Sequence, residues 1–406
     1  MEIAVDELLT RFKNYTSIST GSDDKATCFP STARQLDLAK YLVAELQDLG
    51  LEEVEMTEHG YVLATLPATT KEPLPVMGLL AHMDTSSEAC GENVKVCLHK
   101  NYEGGDLALG HGTVLSPKDF PELANYVGQD LLTAGGDTLL GADDKAGIAA
   151  IVTACAYALA HPELPHGKVR LGFTPDEEVG RGTEHFPLEK FAADYAYTID
   201  GGELGELNYE TFNATNATVV FNGVSVHPGS AKNKMRNAIT MAAEWQLALP
   251  AFERPEYTEN YEGFYHSLRI SGGTDRVEMD MILRDHNKEI LAGRKEFLQS
   301  LVKFMEAKYG PGSVELTMKD CYSNMKEHIL PMFQIVDKAC AAMRAVGVEP
   351  LIRPVRGGTD GANLSAMGLP CPNIFTGGHN FHGRWEYLPL QSFVKATEVV
   401  VELIYK

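Results

Sequence analysis

The sequence predicts an α/β protein with a smaller α+β domain inserted into it. Three observations carry that reading. Short apolar runs alternate with helical stretches over the first half of the chain, the rhythm of a layered sheet. The middle follows another order, strand-helix-strand-strand-helix-strand, which is the split βαβ arrangement of a small sandwich. From about Met332 the first rhythm resumes.

Taken in order, Leu8, Leu9, Phe12 and Tyr15 fall at helical spacing. So do Leu36, Ala39, Leu42, Leu46 and Leu49, between a start signal at Pro30-Ser31 and the stop at Gly50. Residues 61–66 and 76–81 are apolar runs between turn residues, the pattern of buried strands. A small-residue helix over 147–160 precedes strands at 169–174 and 195–199. The middle gives a strand at 218–222, a helix over 237–249 and a hairpin of 264–270 with 276–284 about Gly272-Gly273. A helix over 288–309 stops at Gly310-Pro311-Gly312, and a strand follows at 314–318. A helix to Val346, apolar segments at 351–352 and 371–375, and a closing helix from Leu390 complete the chain. Residues 1–209 and 323–406 therefore form one discontinuous domain, and 210–322 the insertion.

Charge and cysteine content narrow the function classes. With 35 basic and 56 acidic residues the net charge is −21, the wrong sign for a general binder of nucleic acid or anionic membranes. The seven cysteines are scattered, without CxxC spacing, and read as reduced thiols. The acidic start has no apolar run behind it, and no stretch is long enough to span a bilayer. The expectation is a cytoplasmic protein.

The chemistry sits in five short polar motifs, each placed at or near a predicted strand end, where open α/β sheets bind ligands. His82-Met-Asp84 follows the strand at 76–81, and its two side chains point the same way in extended chain. Gly141-Ala-Asp143-Asp144-Lys145 opens the small-residue helix, where adjacent acids are ordinarily capping groups. Asp176-Glu177-Glu178 follows the strand at 169–174, and paired carboxylates there suit a base beside a metal ligand. Asp200-Gly-Gly202 ends another strand, and Gly377-Gly-His379-Asn-Phe-His382-Gly383 sets two histidines in a glycine loop. Singly, most of these are explained as well by caps and solvated turns. Together, histidine with Asp and Glu suits zinc or a similar ion, and bridging carboxylates suit a pair.

These motifs, in this order, resemble the co-catalytic zinc peptidases that include carboxypeptidase G2 and dipeptidase V. The resemblance runs from Leu8 to the last helix. Phrases such as Tyr102-Glu-Gly-Gly-Asp106, Gly263-Phe-Tyr-His266 and Arg356-Gly-Gly-Thr-Asp-Gly361 narrow it to the members that act as aminopeptidases on tripeptides. It implies a mixed-sheet catalytic domain with a ferredoxin-like lid and dimerisation domain, two Zn2+ per chain, and a homodimer through the insertion. It further implies that Asp143 bridges the metals, His82 and Asp200 complete one ligand set, and Glu178 and His382 complete the other. Asp84 would stand behind His82, and Glu177 would be the general base for a water between the metals. His227, otherwise a turn residue before Pro228, would stabilise the oxyanion, often from the partner subunit. Such a donor is worth on the order of 3 kcal/mol in hydrolases generally. Arg284 and Arg356 are the candidates for gripping a substrate carboxylate, although surface ion pairing would explain either.

His379, Asp144 and Asp176 read as supporting residues. No Gly-x-Ser-x-Gly elbow suggests a serine hydrolase. The expected function is removal of the N-terminal residue from tripeptides. The alternatives are a dipeptidase or N-acyl amino acid deacylase of the same architecture, or a non-catalytic protein that binds metal or peptide. The same ligands hold Zn, Mn or Co, so the metal itself is not fixed by the sequence.

Overall fold

The structure is a computed structural model and describes residues 2–405, so Met1 and Lys406, the two ends of the expected outer domain, lie outside it. The chain divides into two compact units. The first comprises Met1–Tyr209, Glu327–Arg353 and Thr359–Lys406, the second Glu210–Lys326 and Pro354–Gly358.

The first unit is built on an eight-stranded mixed sheet. Its order is Glu52–Met56, Val62–Leu66, Val169–Thr174, Met77–His82, Tyr195–Gly201, Asn373–Phe375, Glu206–Asn208 and Leu351–Ile352. Val169–Thr174, Met77–His82, Tyr195–Gly201 and Asn373–Phe375 run parallel, and these four are buried almost throughout. Burial on both sides is why they read as continuous apolar runs rather than as alternation. Because they are parallel and in register, Thr174, His82, Gly201 and Phe375 reach the same edge of the sheet. The polar motifs of the sequence begin there.

The helix Ala142–Ala160 is buried on nearly every side and packs on the sheet, with Val5–Ser17 and Leu390–Tyr405 against it. Its approach to the strand Tyr195–Gly201 depends on Gly147. A Cβ at that position would stand 2.0 Å from the carbonyl oxygen of Ile199. Gly141, just before the helix, has φ of 77°, a left-handed conformation natural to glycine.

Residues 86–140 carry elements that periodicity does not reveal. Cys97–His99, Leu131–Thr133 and Tyr387–Pro389 form a three-stranded sheet, and Leu107–Gly110 pairs with Thr113–Leu115. Strands of three or four residues are too short to show a period. They are held by a separate core of Tyr102, Leu109, Leu115, Leu123, Tyr126, Leu131 and Tyr387.

The second unit is a four-stranded antiparallel sheet in the order Phe264–Gly272, Arg276–Asp285, Asn213–Asn222, Val314–Tyr322. In chain order that is 2-3-1-4, the ferredoxin-like arrangement. Along Arg276–Asp285, Val277, Met279, Met281 and Leu283 are buried and the residues between them are less so, the period of a one-sided sheet. Helices Ala238–Ala248 and Lys288–Tyr309 cover that face through Trp245, Leu298 and Met305.

Two boundaries differ from the sequence expectation. The strands flanking the insertion are longer than 218–222 and 314–318, because the stretch Asn213–Ala217 pairs with Met281–Asp285 on one side and, from Ala214 on, with Met318–Tyr322 on the other. The insertion itself reaches Lys326 instead of residue 322, and it also gains Pro354–Gly358. Arg356 anchors that short return. Its guanidinium donates to the carbonyls of Asn260 at 3.0 Å and Glu262 at 2.6 Å, and lies over the rings of Phe212 and Phe264.

Candidate metal centre

Two groups of donors meet at the carboxyl edge of the parallel strands. His82, Asp143 and Asp200 form one, and Asp143, Glu178 and His382 the other. Asp143 belongs to both. Its Oδ1 lies 2.8 Å from His82 Nε2 and its Oδ2 lies 3.3 Å from His382 Nε2. Asp200 Oδ1 stands 3.5 Å from His82 Nε2, and Glu178 Oε2 2.9 Å from His382 Nε2.

The tautomer of His82 follows from its other nitrogen. Nδ1 lies 3.0 Å from the carbonyl oxygen of Asp84, which can only accept, so Nδ1 carries the proton. The lone pair on Nε2 then faces the carboxylates of Asp143 and Asp200. A lone pair set against carboxylate oxygens at such range needs a cation between them, or a proton in its place. In the second group His382 Nε2 faces the carboxylates of Asp143 and Glu178, and Glu178 Oε1 is buried with no hydrogen-bond partner. The residues present therefore fit a pair of divalent cations of the zinc type.

Electrostatics point the same way. Burial pushes the Glu178 carboxyl up to about 7 and that of Asp200 up to about 6. Burial also raises Glu177 well above the usual range. For Asp143 burial acts upward too, but His382 and His82 hold it well below the ordinary carboxylate value. Burial would lower His82, yet the carboxylates of Asp200, Asp143 and Asp84 raise it well above an ordinary imidazole. Such a concentration of buried carboxylates is costly unless a positive charge is added.

Asp84 does more than stand behind His82. Its carboxylate is 3.5 Å from His82 Nδ1, farther than its own carbonyl. Its two oxygens instead accept the backbone N–H groups of Glu177 at 3.0 Å and Glu178 at 3.1 Å. One buried acid thus fixes the segment that carries both glutamates. From the other side Asp176 accepts from Ser31 N and Gln35 Nε2, both at 2.6 Å. Asp144 is likewise supporting, since its carboxylate accepts from the backbone of His82 and Gly147. Lys145 is buried and donates to the carbonyl of Ile18 at 2.7 Å.

His379 belongs to neither donor group. Its Nε2 lies 2.6 Å from the Tyr126 hydroxyl and its ring stacks on Tyr387.

Two acids that the sequence reading passed over are built into this edge. Glu386, 1% exposed, accepts four consecutive backbone N–H groups: Leu140 at 2.7 Å, Gly141 at 2.9 Å, Ala142 at 2.7 Å and Asp143 at 3.2 Å. It holds the turn that presents Asp143. Burial pushes its carboxyl up to about 7, against the downward pull of those N–H bonds. Asp360, also buried, accepts from Thr174 Oγ1 at 2.7 Å at the end of its strand. The signal for Asp360 was the Gly-Gly-Thr-Asp-Gly phrase; Glu386 has none.

The remaining predicted residues lie in the second unit. His227 is exposed, and its Nδ1 accepts the Gly229 N–H at 3.1 Å, which leaves Nε2 to bear the proton in the neutral ring. Arg284 donates to the carbonyls of Thr215 and Leu283 and lies over the Tyr322 ring. No carboxylate pairs with it among the described residues, for neighbouring Asp285 is taken by Arg294 at 3.0 Å. Arg356, by contrast, spends its guanidinium on the fold of this unit.

Residues 140–406 match the sequence model of peptidase family M20/M25/M40. Over 400 residues the chain is 53% identical to peptidase T of Listeria monocytogenes serotype 4a, covering 98% of each. The aminopeptidase PepT from Bacillus cereus superposes with a TM-score of 0.79 at 23% identity, over 99% of this chain and 98% of that one. The Bacillus subtilis YXEP protein, described as a dinuclear metal-binding peptidase, superposes with a TM-score of 0.66 at 14% identity, over 99% of this chain and 97% of that one.

Proposed function

The chain belongs to the M20/M25/M40 peptidase family, and from that membership we propose that it is a dinuclear zinc aminopeptidase releasing the N-terminal residue of tripeptides. The observation that carries the proposal is Asp143, which offers one oxygen to each of two donor groups. His82 and Asp200 would hold one ion with it, Glu178 and His382 the other. Two divalent ions there would lower the pKa of a water between them and polarise a peptide carbonyl.

Glu177 belongs to neither donor group and sits on a backbone fixed by Asp84. It takes the proton released by the attacking water and returns it to the departing amine. Asp84 acts as a positioning residue for Glu177, Glu178 and His82. His227, with its Nε2 proton free to donate, supplies the oxyanion donor. Arg284 receives the substrate's C-terminal carboxylate, with Arg356 as the second candidate; neither is paired with a carboxylate among the described residues, and Arg356 already bonds two carbonyls and the Thr258 hydroxyl. A homodimer through the second unit is supported by its edge strand Phe264–Gly272, which leaves Leu268 and Ile270 each 57% exposed.

The test is hydrolysis of a free tripeptide before chelation, after it, and after metal is restored. Activity should vanish and return. A panel of di-, tri- and tetrapeptides should favour three residues, and equal turnover at all lengths would overturn the carboxylate grip. Turnover of N-acylated substrates alone would make the protein a deacylase.

A further inference from the structure

The parallel strands have a second edge. Their amino ends open on a cavity of about 610 Å³, lined by Met77, Val169 and Tyr195, the first residues of three adjacent strands. Five residue steps along Met77–His82, roughly 16 Å, separate this cavity from His82. It is therefore distinct from the metal centre, and its size is that of a small-molecule site.

Its walls are largely apolar, with Leu74, Ile335, Leu403 and Ile404 beside the strand residues. Among this apolar surface stands Lys338, on the helix Gln334–Ala345. Its Nζ donates to the Tyr195 hydroxyl at 2.9 Å and lies 5.5 Å from the centre of that ring. No carboxylate pairs with it among the described residues, and burial lowers its pKa to about 8. The other charged groups lining the cavity are already engaged. Asp194 accepts the Val76 N–H at 2.7 Å, and Lys168 reaches Glu53 at 3.7 Å. His166 is committed to the carbonyl of Gly167 at 2.8 Å.

Tyr195 sharpens the chemistry. Its oxygen accepts from Lys338, so its own O–H remains to donate, and burial pushes its pKa up to about 12, which keeps that proton in place. An ammonium and a hydroxyl side by side supply two donors to one carboxylate. Leu74, Ile335, Leu403 and Ile404 beside them are suited to hydrocarbon.

We propose that this cavity binds a small amphipathic carboxylate, with its apolar body against Leu74, Ile335 and Leu403 and its carboxylate on Lys338 and Tyr195. A fatty acid and a free apolar amino acid share that chemistry.

Calorimetric titration of the metal-loaded protein with octanoate, octanol and leucine tests the proposal. Octanoate or leucine should bind saturably, and whichever binds identifies the source of the carboxylate. Lys338→Met should weaken that binding by about tenfold or more, while Tyr195→Phe weakens it less. Lys338→Glu should exchange the preference for octanoate for one for octylamine, a switch that a merely structural lysine would not produce. Tripeptide turnover without ligand should stay unchanged in Lys338→Met, which shows that the variant is folded. The proposal is overturned if neither carboxylate binds, if octanol binds as well as octanoate, or if Lys338→Met binds as tightly as the parent.

Discussion

Replacing Glu386 by glutamine tests how the metal centre is held. The parent carboxylate receives the N–H groups of Leu140 and Gly141 on Oε2, and those of Ala142 and Asp143 on Oε1. Glutamine keeps one acceptor oxygen and turns the other into an NH2 group facing two N–H donors. Two buried donors are left unsatisfied in any amide orientation. At about 1–3 kcal/mol for each orphaned donor, the substitution should cost ~2–6 kcal/mol, while the side-chain volume hardly changes. The loss falls on the turn that presents Asp143, so both metal sites should weaken. Loss of a group that orients a ligand commonly lowers metal affinity by roughly 10–100-fold. Urea unfolding of the metal-free protein measures the first quantity, and competition with a chelator of known affinity the second. A variant within about 0.5 kcal/mol of the parent, with metal held as tightly, would refute the claim that Glu386 supports this turn.

Other outcomes follow from the same geometry. Glu177→Gln should keep two metals per chain by elemental analysis and lose about 10²–10⁴-fold in kcat, since Glu177 lies outside both donor groups. His379→Ala should retain both metals while His382→Ala loses one; the reverse would make His379 the ligand. Lys338 should make stability depend on pH. Its folded pKa, about 8, is below the ordinary lysine value of 10.5, so between these values the unfolded chain binds the extra proton. Stability should therefore rise with pH across that window, by at most ~3 kcal/mol and by less after allowance for partial exposure. Lys338→Met should remove the rise, as read by urea midpoints at successive pH values.

Much of the candidate site was legible because its donor residues follow strands whose own signal is strong. A buried parallel strand is an uninterrupted apolar run, so residues 76–81 and 169–174 announce themselves, and His82, Asp84, Glu177 and Glu178 follow within a few positions. The insertion was legible for another reason. Its strands have one wet face, and its helices end at Gly-Pro-Gly or proline punctuation. The strands between residues 97 and 133 were not, since three-residue elements carry no period and exist only through their pairing. The engagement of Arg356 was hidden for a similar reason: the carbonyls it bonds, those of Asn260 and Glu262, lie more than 90 positions away in the chain.

The sequence by itself determined the class of fold, the order of the elements, and the residue types at the strand ends able to hold metal. Those are local properties, written in periodicity and in short motifs. The tertiary structure decided which atoms meet. It gave Asp143 one oxygen for each histidine, turned the carboxylate of Asp84 onto the backbone of Glu177 and Glu178, and brought Glu386 across more than 240 positions to the turn that presents Asp143. It also placed Lys338 beside Tyr195 at the far end of the same strands. A carboxylate that accepts backbone N–H groups leaves no trace in the sequence of the segment it holds, because every residue except proline offers the same donor.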